Sequence, residues 1–118
     1  MVEPGSHPHP FDLAVSGAAV PGGRVLTVTV RKEFELSNLN QGWAAAIIAQ
    51  APNQVDQVVI DMAAIGLVSS TFFAGLLHLH EHYTTRGAAT LVLRKPDRRI
   101  ERNLRVMRLD QLFAIESR

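Results

Sequence analysis

Residues 57–93 read QVVIDMAAIGLVSSTFFAGLLHLHEHYTTRGAATLVL, and this stretch decides the fold class. Gln57 to Asp61 is a short apolar run with a carboxylate at its C-terminal end, as expected of a buried strand. Leu67 and Val68 follow as a second brief extended piece. Ser69, Ser70 and Thr71 then stand directly before Phe72, Phe73, Leu76, Leu77, Leu79, His80 and Tyr83, an apolar-periodic run. Hydroxyl side chains before that run and Arg86-Gly87 after it are start and stop signals of a helix. Thr90 to Leu93 reads TLVL, a second buried strand. Strand, helix and strand in succession imply parallel pairing, because only a long crossover returns the chain in the same direction.

The flanks extend the same alternation. Phe11 to Val15 alternates apolar and polar residues and suits a short strand, and Gly17, Pro21, Gly22 and Gly23 punctuate it as a hairpin loop would. Arg24 to Val30, RVLTVTV, is a strand dominated by β-branched residues. Ser37 or Asn38 is a plausible N-cap for a helix over Leu39 to Gln50, with Leu39, Trp43, Ala46, Ile47 and Gln50 near helical spacing and Pro52-Asn53 ending it. On the other side, Pro96-Asp97 opens a helix from Arg98 to about Met107, with Ile100, Leu104 and Met107 on one face. Leu109, Leu112, Phe113 and Ile115 close the chain as a short apolar tail. The predicted order is β-β-α-β-α-β-α. It implies an α/β fold in which a small sheet is covered by helices mainly on one face.

Composition bounds the function. The chain has 118 residues, 47% of them apolar and 19% charged, with no cysteine. That length suits one domain over 11–118 and is too short for an eight-stranded α/β barrel. Disulfides, thiol chemistry and zinc–thiolate sites are excluded. Met1 to Pro10, MVEPGSHPHP, reads as a disordered leader rather than a signal peptide, and no window has the apolar length of a membrane span. The expected protein is cytoplasmic, without membrane insertion. Net charge is +1, but unevenly divided: residues 1–85 carry three basic and seven acidic residues (−4), and residues 86–118 carry nine and four (+5). No G-x-G-x-x-G or Walker A pattern occurs, so a phosphate-binding glycine loop is unsupported.

Three clusters bear chemistry. His78, Glu81 and His82 form H-x-x-E-H, the inverted zincin pattern, which would make a zinc-dependent hydrolase if a third ligand came from Glu101 or Glu116. A solvated helix face with His80 half-buried is the simpler account. Arg98, Arg102 and Arg105 share one face of the last helix, flanked by Arg99 and Arg108, where they solvate it or meet phosphates or an acidic partner. With one Trp and one Tyr there is no stacking platform, and no direct nucleic-acid binding is expected. Ser69-Ser70-Thr71 either caps the helix or accepts phosphate, whose charge the free amides and positive dipole end would favour. No G-x-S-x-G elbow supports a serine hydrolase. No metal or cofactor is expected.

Taken together, residues 58–115 resemble a STAS domain, more narrowly a bacterial anti-sigma factor antagonist. The pieces come in family order: a strand ending in Asp61, a short apolar strand, a hydroxyl-bearing loop, an amphipathic helix, Arg86-Gly87 before TLVL, a helix after Pro96, and the tail Leu109-x-x-Leu112-Phe113. The resemblance implies a mixed, mainly parallel sheet of four to five strands. It places the family's phosphoacceptor at Ser70, with Ser69 as second choice. Partner binding falls to Asp61, Ser69, Ser70, Thr71 and Phe72. Phe72 replaces the family's usual Gly and is expected either to crowd a partner or to offer it an exposed apolar contact. Asp61 either orients the loop or caps it.

The implied activity is partner switching rather than catalysis. The unmodified protein binds an anti-sigma factor, often a GHKL-type serine kinase, and phosphate on Ser70 releases it. A phosphatase resets the switch, and the protein is a monomer or weak dimer. A STAS scaffold subunit of a stress-signalling or lipid-transport complex, without phosphorylation, is the alternative.

Overall fold

The computed structural model describes residues 11–17, 23–32, 42–52, 54–66, 68–87 and 89–117. The leader 1–10, the proposed caps Ser37 and Asn38, and Leu39, Asn53 and Leu67 lie outside the described residues. Five strands form one mixed sheet: β1 (Phe11–Ser16), β2 (Val25–Val30), β3 (Gln57–Asp61), β4 (Thr90–Arg94) and β5 (Ala114–Glu116). Three helices accompany them among the described residues: α1 (Trp43–Gln50), α2 (Ser70–Gly87) and α3 (Arg98–Val106). The chain is thus of the α/β class.

Spatial order follows chain order, β1-β2-β3-β4-β5. β1 runs antiparallel to β2, as a hairpin requires, with Phe11 opposite Val30 and Leu13 opposite Val28. β2 pairs with β3, β3 with β4 and β4 with β5 in parallel. Register sets the inward face: Leu26 and Val28 stand beside Val58 and Ile60, which stand beside Leu91 and Leu93. All six are buried. They join Trp43, Ile47, Phe72, Leu76, Leu79, Ile100 and Leu104 in one core cluster, so all three helices feed the same core. The outward face carries Ala14, Thr27, Val59, Val92 and Ala114 in one cross-strand row. Val59 and Val92 are buried there, outside that core.

Several expectations need correction. The predicted order ended at α3, whereas within the apolar tail a 3-10 turn over Leu109–Gln111 leads into β5, which seats Ile115 beside Leu93. Val68, expected in a strand, belongs to no regular element. Met107 does not share the buried side of α3. The helix ends at Val106, Arg108 turns into the left-handed region (φ 60°), and Met107 is left exposed.

Candidate functional site

The loop between β3 and α2 is held at both ends by its own sequence. Asp61, the last residue of β3, accepts a hydrogen bond from the Ala63 amide at 3.0 Å and thereby fixes the turn. Met62 and Ile65 are buried in the core, and the Ile65 amide donates to the Met62 carbonyl at 3.2 Å. Val68 packs against the same core. Met62, Ile65 and Val68 thus anchor the described part of the loop in the core. Asp61 acts as a capping carboxylate, and its side chain makes no hydrogen bond with the serines among the described residues.

The three hydroxyls that follow meet two fates: two bond to each other and one stays free. The Ser69 carbonyl accepts from the Phe72 amide at 3.0 Å, closing the first turn of α2. Ser69 Oγ and Thr71 Oγ1 lie 2.5 Å apart in a mutual hydrogen bond. The Thr71 carbonyl accepts a long bond, 3.4 Å, from the Trp43 indole nitrogen on α1. Ser70 is exposed, and its hydroxyl has no hydrogen-bond partner among the described residues. It is the first residue of an 18-residue helix whose first turn contains no acidic residue. The unpaired amides and aligned peptide dipoles there amount to about half a positive charge with no fixed counter-charge.

Phe72 corrects the expectation placed on it. Its side chain is fully buried, so it neither crowds an approaching partner nor offers an exposed apolar contact. It stacks on Trp43 with ring centroids 5.0 Å apart and planes 5° from parallel, and meets Phe73 edge-on at 5.8 Å. Periodicity explains the direction: Phe72, Phe73, Leu76, Leu79 and Tyr83 form the inward stripe of α2, which rotates Ser70 outward. Trp43 reaches this position because Gly75 leaves room for it. A Cβ on Gly75 would stand 2.1 Å from the indole nitrogen. Sequence reasoning missed this contact. A Gly amid an otherwise apolar helical stripe was the available sign of close approach.

The remaining clusters are dispersed. His78 is exposed, His80 packs against Phe113 with centroids 5.6 Å apart, and His82 against Tyr83 at 4.8 Å. Of the two candidate third ligands, Glu101 is bound by Arg105 and Ser117, and Glu116 by Arg94 at 3.1 Å. No group of three His, Asp or Glu among the described residues is placed to hold a metal ion. No helix of the described residues is long and apolar enough to cross a membrane. The chain matches no known family model and no curated protein.

Proposed function

We propose that the chain is a regulatory protein-interaction module of the STAS type, an anti-sigma factor antagonist switched by phosphate on Ser70. The observation that carries this reading is the division of labour at the start of α2. Ser69 and Thr71 satisfy each other, while Ser70 presents a free hydroxyl to solvent at a helix end with no acidic residue in its first turn. The buried Phe72 removes the obstacle that replacing the family's Gly would pose, since the first turn presents only hydroxyls outward.

The chemistry belongs to a partner. A serine kinase transfers the γ-phosphoryl group of ATP to Ser70 Oγ, breaking the bond to the bridging oxygen and releasing ADP, while the hydroxyl proton passes to the kinase's base. The product carries nearly two negative charges beside the amides that open α2. A docking surface complementary to a neutral hydroxyl then meets a solvated dianion, and the complex dissociates by repulsion and desolvation. Ser69 and Thr71 form the rim beside Ser70, and Asp61 holds the turn that leads toward them. The protein itself is not an enzyme in this reading; its partners are the anti-sigma factor or kinase and a resetting phosphatase, in the cytoplasm.

The test is incubation of wild type and Ser70→Ala with a serine kinase encoded beside the gene and ATP, read by mass spectrometry. Wild type should gain one phosphoryl group and Ser70→Ala none. Phosphate on both would move the site to another residue. Stable binding of that kinase with no phosphate on wild type would leave a scaffold subunit as the reading.

A further inference from the structure

Away from the Ser70 loop, the strongest charge lies on the outward side of α3 and the turn after it. Ile100 and Leu104 are the buried residues of α3, so the helical period turns Arg98, Arg99, Arg102, Arg105 and Val106 away from the core. Two of these arginines are already held, Arg99 by Asp97 at 3.3 Å and Arg105 by Glu101. Arg98, Arg102 and Arg108 are exposed and have no ion-pair partner among the described residues. Arg98 and Arg102 line an open cleft of about 810 Å³ together with the two paired arginines and Ser117. Val106, one turn beyond Arg102, continues this face with an apolar side chain, and two more exposed apolar residues follow it in the chain. Of the five large apolar side chains exposed among the described residues, three are Val106 (76% exposed), Met107 (42%) and Leu112 (40%).

We infer that this face is a second docking surface, which takes an acidic, partly apolar segment of a partner protein. Carboxylates of that segment meet Arg98, Arg102 and Arg108, and its apolar residues cover Val106, Met107 and Leu112. Arginine and methionine are enriched where proteins meet, and complementary charge fixes register and speeds encounter. A nucleic-acid backbone would meet the arginines and leave the apolar end uncovered, and both Trp43 and Tyr83 are buried, so neither is free to stack on bases. A bilayer binds helices whose apolar face points outward, whereas α3 turns that face into the core. A small anion finds no open helix terminus here, because Asp97 already caps the start of α3. The surface does not depend on the Ser70 switch.

The experiment is calorimetric titration of the full chain with a synthetic peptide of repeating Glu and Leu, beside duplex DNA and phosphatidylserine-containing vesicles as rivals. The peptide should bind, and more weakly as salt rises. Arg98→Glu combined with Arg102→Glu should weaken binding about tenfold, the sum of two exposed ion pairs lost and reversed. Val106→Ser should weaken it with the salt dependence unchanged, and Ser70→Asp should bind as wild type. If the double reversal melts early, Arg102→Gln carries the same test with about threefold loss expected. Equal binding by the reversed and native proteins, or tighter binding of DNA or vesicles than of peptide at the same salt, overturns the assignment.

Discussion

Helix α3 begins at Asp97, whose carboxylate accepts from the Arg99 amide at 2.9 Å, and it carries Glu101 in its first turn. Helix α2 begins at Ser70 with no acidic residue in its first turn, and its neighbouring hydroxyls bond to each other instead. The contrast continues along both helices. Glu101 is matched by Arg105 and Ser117, whereas Tyr83, deep in α2, buries a hydroxyl that has no partner among the described residues. One helix thus starts on fixed carboxylates, and the other leaves its positive end without fixed charge. A terminus already filled by a permanent carboxylate gains little from a phosphate. A terminus with none gains most from a charge that is added and removed.

The largest effect should come from what holds the α2 terminus in place. Phe72→Ala removes a fully buried ring stacked on Trp43 and should cost about 3–5 kcal/mol in urea unfolding. A loss below about 1 kcal/mol would mean that Phe72 does not anchor the first turn. Next, Asp97→Ala should cost about 1 kcal/mol, because a capping acceptor is lost. Ser69→Ala should cost less, since its hydroxyl meets Thr71 rather than a backbone amide. Equal losses in thermal unfolding would erase the contrast between the two helix starts.

Tyr83 tests the other end of α2. Burial raises the pKa of its phenol above the ordinary value. The unfolded chain therefore ionises first as pH rises. The corresponding stability is fully present below about pH 10 and is lost as pH climbs from there through the folded-state value. Tyr83→Phe should abolish that alkaline loss and raise stability near neutrality by about 1 kcal/mol, because a buried unpaired hydroxyl is removed. An alkaline transition of unchanged size in Tyr83→Phe would assign it to another group. The smallest effect is Ser70→Asp, which should stabilise the fold by about 0.3–1 kcal/mol at low salt and less at high salt. Destabilisation by this change would show that the α2 terminus does not welcome negative charge.

Most elements were legible because local chemistry and tertiary demand agree. β2, β3 and β4 are β-branched or apolar runs that register buries, and Asp97 caps α3 where the Pro96-Asp97 signal predicts. β5 was not legible. Three residues give no period to read, and only its place beside β4 makes Ala114–Glu116 a strand. Met107 was misplaced because periodicity assumes the helix continues, while the backbone leaves it at Val106. At the candidate site the serines could be found from their place before an apolar run. Which hydroxyl stays free depended on the bond between Ser69 and Thr71, and the seat of Phe72 on Trp43 depended on Gly75 leaving room, a match between segments far apart in sequence.

That pairing also gives the molecule an optical property. Trp43 is the chain's only tryptophan. Its indole lies flat on Phe72 and its N–H reaches the Thr71 carbonyl, so its surroundings are built largely from the first turn of α2. Fluorescence excited selectively at tryptophan therefore reads a single emitter, located beside the residue proposed to be switched. Phosphate on Ser70, or a partner seated over it, should shift the emission of the unlabelled protein, whereas a ligand confined to the arginine face of α3 should leave the spectrum as it was.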